Sequence, residues 1–141
     1  MIKIESFRNH HKELRSIVLE IRRELELSAI TSKPEIIVQL IRKLFGRFSI
    51  HLKLEESVLY PQLETHPNLE IRDAAAKFQR EMEQVKSDFE SFKKNWYNPQ
   101  VIISDPENFI IETQRILTNL EIRIEKEETI FYDTIESFQE T

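Results

Sequence analysis

A chain of 141 residues can bury one hydrophobic core without disulfides or a structural metal, so a single domain spanning residues 1–141 is expected. It contains no cysteine, which excludes disulfide frameworks, thiolate metal sites, iron–sulfur clusters and cysteine nucleophiles and leaves only nitrogen and oxygen to hold a metal. A net charge of −5 with acidic and basic residues interleaved offers no basic patch for a nucleic acid, and one glycine, Gly46, in so long a chain points to a few long helices.

In the first segment Phe7, His11, Leu14, Val18, Ile21 and Leu25 recur at alternating spacings of four and three, the stripe by which a helix faces a bundle core. SAITSKPE (28–35) then reads as a break. The second helix carries Ile37, Ile41, Leu44, Phe48, His51, Glu55 and Val58 inward, and THPNLE (65–70) ends it. The third carries Phe78, Met82, Val85, Phe89, Phe92 and Trp96. After it, YNPQVIISDPEN (97–108) is a longer connection that either crosses over or forms an extra turn. Ser104 or Asp105 followed by Pro106 starts the fourth helix, whose stripe is Phe109, Thr113, Ile116, Leu120, Arg123, Glu127 and Ile130.

These segments repeat. The third matches the first 71 positions later, with Met82 where His11 stood. FSIHLKLEESVLY (48–60) aligns with LEIRIEKEETIFY (120–132) at a shift of 72, so that Glu55 meets Glu127, Tyr60 meets Tyr132 and His51 meets Arg123. Two helical hairpins, neither able to bury its apolar face alone, predict an all-α, antiparallel up-down four-helix bundle.

Two ionisable residues interrupt each of the second and fourth stripes at the same level, and buried charges need a partner, an ion or water. An HxxxE pair is most often a surface hydrogen bond, but His51 and Glu55 fall on the apolar stripe. With His11 they make two imidazoles and one carboxylate, a set that suits iron with open coordination positions and also accepts zinc or manganese. His11 reads equally as a core histidine bonded to Glu55 or Glu127. His10, one position off the stripe, is expected in solvent, and His66, beside Pro67, in a loop without a role. Glu56 and Glu128 point about 100° away and belong to the charged face unless one leans inward. Tyr60 and Tyr132 read as flanking core, and Met82 as core, a thioether being a poor ligand for a hard site.

HHKEL (10–14), HLKLEESVLYP (51–61) and the echo IRIEKEETIFY (122–132) carry a resemblance to the hemerythrin-like, HHE cation-binding family over nearly the full length. That family's bundles hold two irons bridged by oxygen and carboxylates and bind, store or sense dioxygen and related small molecules. The resemblance implies His11, with His10 as a register alternative, then His51, Glu55 and Glu127 as metal ligands. It departs at Met82 and Arg123, which stand where imidazoles belong, so a di-iron centre is not expected. Two functions follow. The first is a cation-binding protein with one surviving half-site, holding a single iron or other divalent ion and binding or sensing dioxygen or nitric oxide. The second is a metal-free interaction or regulatory module in which Arg123, paired with Glu127 or Glu55, replaces the metal's charge.

No enzyme is expected, since one glycine cannot build a phosphate-cradling loop. The opening residues show no signal-peptide pattern and no apolar run spans a bilayer, which makes the cytoplasm the expected location. Aromatics such as Tyr97 serve either a homodimer or local packing.

Overall fold

The computed structural model describes residues 4–139. Helix α1 (Ile4–Glu24) is followed by a short α2 (Leu27–Ser32) and by α3 (Pro34–Leu54), which runs through a π-helical turn (Glu55–Leu59) into α4 (Tyr60–Glu64). Helix α5 (Leu69–Trp96) leads to a short α6 (Pro99–Ser104) and to α7 (Pro106–Lys126), which runs through a second π turn (Glu127–Tyr132) into α8 (Asp133–Gln139). No strand occurs among the described residues, and none of their helices is long and apolar enough to cross a membrane. Four long rods pack as the expected bundle, with α1 against α3 and α7, and α5 against α4 and α7.

Local chemistry sets the ends. Asn68 accepts from the backbone N–H groups of Glu70 and Ile71, Asn98 from that of Gln100, and Asp105 from that of Asn108, satisfying donors that a helix start leaves without partners. Asp105, not Ser104, is therefore the cap of α7, with Pro106 in its first turn.

The first expected break turns out to be helical, and the 97–108 connection takes the extra-turn alternative. SAITSKPE is largely α2, which buries Ile30, and the 97–108 connection contains α6, which buries Ile102. Proline beside small polar residues signalled a loop, but each segment holds one apolar side chain that a single helical turn delivers onto the core. Ile30 and Ile102 stand 72 positions apart, as do Pro34 and Pro106, so the repeat extends through both connections. Helices α2 and α6 touch each other and close one end of the bundle.

The inward stripes hold as far as the charged pairs and then shift. Val58 is 43% exposed and Ile130 55%, whereas Leu59 and Phe131 are fully buried. The π turns cause this. Tyr60 donates its backbone N–H to the Glu55 carbonyl five residues back, and a wider turn carries the inward face one residue further along the chain. Apolar packing forms two clusters. Leu14, Ile41, Phe48, Met82, Phe92 and Leu120 belong to the larger, and Phe7, Leu59, Leu63, Phe78, Phe131 and Ile135 to the smaller. On α1, α3 and α7 the buried ionisable residues lie where the two clusters meet, and on α5 Met82 stands at that level. Tyr97 packs locally, its ring stacked 5.9 Å from that of Phe45 with the Arg42 guanidinium over it.

Candidate metal centre

Helix α1 contributes His11, α3 contributes His51, and the two π turns contribute Glu55 and Glu127, all four fully buried. One donor atom from each lies within 4.8 Å of all the others. The two Nε2 atoms face each other at 3.1 Å. His11 Nε2 stands 3.2 Å from Glu127 Oε1, and His51 Nε2 stands 2.7 Å from Glu55 Oε1 and 3.7 Å from Glu127 Oε1. Nitrogen and oxygen ligands bond zinc at about 2.0–2.1 Å, so a tetrahedral set would sit about 3.3–3.4 Å apart, inside the spread of these separations. Glu55 Oε2 and Glu127 Oε2 are buried without a hydrogen-bond partner. Lone pairs orphaned in that way are costly unless an ion takes them, so the donor set fits a divalent cation.

Both imidazoles are held through their other nitrogen. His11 Nδ1 is 3.2 Å from Glu128 Oε1, while Arg15 anchors the same carboxylate through Oε2 at 2.9 Å. A carboxylate on Nδ1–H leaves Nε2 as the free ligand position, the arrangement that surrounds metal-bound histidine generally. His51 Nδ1 meets His10 Nδ1 at 3.3 Å. Tyr132 donates its hydroxyl to Glu55 Oε1 at 2.9 Å and stands 3.4 Å from His11 Nε2, its ring stacked on the imidazole.

Electrostatics within the cluster follow from burial and mutual charge. Burial alone would lower His51, but the Glu127 and Glu55 carboxylates override it and push the imidazole up to about 9. Glu55 is pushed up to about 7 by burial and by repulsion from Glu127, against the pull of His51. For Glu127 burial is overcome by hydrogen bonds from His11 and His51 and by the charge of Arg123, which hold it well below the usual carboxylate range. Burial and the two carboxylates push both Tyr60 and Tyr132 upward, so each keeps its proton.

Arg123, only 4% exposed, lies on the other side of Glu127, its Nε 3.6 Å from Oε2 with no hydrogen bond formed by that nitrogen. Its Nη2 donates to the Phe78 carbonyl at 2.7 Å and lies 3.5 Å from the Tyr60 hydroxyl, and its Nη1 reaches Glu81 Oε2 at 3.4 Å. The pairing expected with Glu127 is thus a close contact of charges rather than a fork. Met82 is buried in the larger apolar cluster, as expected.

The structure therefore brings His11, His51, Glu55 and Glu127 together and seats Arg123 beside them. His11, not His10, faces the core; His10 is half-buried against His51 instead of lying in solvent. Glu128 leans inward, whereas Glu56 stays exposed and pairs with Lys86. Tyr132 belongs to the site rather than flanking it. His66 is in its expected loop but organises it, accepting from the Asn68 backbone N–H through Nδ1 at 3.0 Å. The doublets Glu55–Glu56 and Glu127–Glu128 are alike in the sequence, which carries no signal that separates Glu128 from Glu56.

A family model described as the hemerythrin HHE cation binding domain matches residues 2–135. No curated protein and no solved structure matches the chain significantly.

Proposed function

Because the chain belongs to the hemerythrin HHE cation-binding domain family, we propose that it holds one divalent cation between His11, His51, Glu55 and Glu127, and that this cation is iron. The observation that carries the reading is the convergence of four buried donor atoms from three stretches of the chain, with Glu55 Oε2 left without any protein partner. Two imidazoles with carboxylates suit ferrous iron, which when bound supplies a centre with a coordination position to spare for a small ligand, dioxygen or nitric oxide. The chain's own part is to hold the imidazoles through Glu128 and His10, to keep the centre dry, and to fix the Glu55 carboxylate through the hydrogen bond that the Tyr132 hydroxyl donates to it. This describes a binder or sensor in the cytoplasm, not an enzyme.

A metal-free module is the second reading, favoured by the burial of Arg123 against Glu127. It ranks lower because it leaves Glu55 Oε2 with no partner at all. Cobalt(II) titration followed by visible absorption separates the two. The wild type is expected to develop a ligand-field spectrum that His51→Ala abolishes; the same spectrum in the variant, or none in the wild type, overturns the proposal.

A further inference from the structure

We propose that the Arg123 guanidinium is the second cation of a pseudo-symmetric centre, so that this protein takes one divalent ion and not two. The inference rests on the cation reading above and adds to it the residue that keeps the ion single.

The internal repeat relates His10, His11, His51, Glu55 and Tyr132 to Glu81, Met82, Arg123, Glu127 and Tyr60. The contacts repeat as well as the positions. His10 touches His51 Nδ1 at 3.3 Å, and Glu81 touches Arg123 Nη1 at 3.4 Å. The Phe7 ring lies edge to face with His51 at 5.8 Å, and its counterpart Phe78 carries the Arg123 guanidinium over its ring at 4.7 Å. Tyr132 reaches Glu55 beside His51, and Tyr60 reaches Arg123 itself. The guanidinium is therefore seated where the second half would place its own imidazole.

Glu127 lies between the two halves. Its Oε1 faces the imidazoles, at 3.2 Å from His11 Nε2, while its Oε2 faces Arg123 Nε at 3.6 Å. One carboxylate thus bridges a cation-binding position and a side chain that never loses its charge. A second divalent ion on that side would meet a fixed positive charge a few ångströms away and, in Met82, a thioether that serves hard cations poorly. Arginine here balances the charge of Glu127 through a contact of charges without a hydrogen bond, and permanently fills the position.

The test counts zinc ions per chain after gel filtration, with affinities read by competition against a chromophoric chelator. Wild type is expected to hold one zinc and the double variant Met82→His/Arg123→His two. Arg123→Met is expected to hold its single zinc at least about tenfold tighter, because a neighbouring positive charge is gone, with Arg123→Lys remaining near wild type. Two zinc ions in the wild type, a folded double variant that stays at one, or an Arg123→Met affinity unchanged or weaker each overturn the inference. If the double variant loses its helical circular dichroism, the methionine and lysine variants decide. Wild type with no zinc defeats the cation reading itself.

Discussion

Each residue of the centre has a distinct task, and the tasks are separable by mutation. Glu128 does not reach the convergence point; it acts on His11 Nδ1, and Arg15 holds it there. Removing such a partner typically costs 10–100-fold in metal affinity. Glu128→Ala is expected to weaken zinc binding by about that factor in chelator competition, and Glu128→Gln, which still accepts from Nδ1–H, to recover part of it. Equal affinity in all three proteins would remove Glu128 from the account.

Protonation gives a second test at the same scale. The folded His51 imidazole, raised from 6.5 to about 9, contributes stability that is complete below about 6.5 and is lost as pH rises through 9. Glu55, raised from 4.5 to about 7, also favours the protonated fold, and its cost appears as pH rises from 4.5 through 7. Glu127, depressed, runs the other way: its contribution is complete above about 4.5 and is lost progressively as pH falls below that. Chelator-treated protein is thus expected to melt highest near about pH 5–6 and progressively lower toward pH 9. Because a cation displaces these protons, the rise in Tm on adding zinc should widen from pH 6 to pH 8. A zinc-induced shift that narrows over that range contradicts the ligand assignment.

At the level of elements, the π turns explain what the sequence concealed. Periodicity located the long helices and the inward face of His11, His51, Glu55, Arg123 and Glu127, because a 3.6-residue repeat is written in the apolar spacing. It failed beyond Glu55 and Glu127, where Val58 and Ile130 were expected inside and Leu59 and Phe131 are found there. A π turn amounts to one extra residue, and nothing in composition announces it. Leu59 and Tyr60 could be brought inward by ordinary α geometry if the turn were one residue shorter. Deleting the exposed Ser57 is therefore expected to leave the helical circular dichroism intact while weakening zinc binding, since Glu55 loses the turn that aims it. Undiminished binding would show that the turn has no part in the site.

Helix α3 offers a simpler check. Gly46 is exposed in mid-helix, and a Cβ built there meets nothing within 4 Å. Gly46→Ala is expected to raise unfolding stability by about 0.5–1 kcal/mol in urea titration, through propensity alone and with zinc affinity unchanged.

Across the whole molecule, the polar layer divides the apolar interior into two clusters, and every long rod crosses it. The repeat made the bundle legible from sequence, because two copies of a hairpin with matched stripes have one economical way to cover each other's apolar faces. The site was legible in its buried ionisable residues. Its surroundings were not: His10, Glu128 and Tyr132 reach the layer through long side chains or through an altered helical register. A layer of buried charges without an ion costs stability, so the cation and the fold are linked, and saturation with a tight ion should raise stability by several kcal/mol at ligand concentrations far above Kd.

A single-cation centre in this layer is open to elemental analysis. Protein purified without an affinity tag or chelator and loaded anaerobically with ferrous iron should carry one iron per chain, and His51→Ala none. A wild-type protein that emerges without metal under those conditions would rule out a cation centre and leave Arg123 and Glu127 as a purely structural pair.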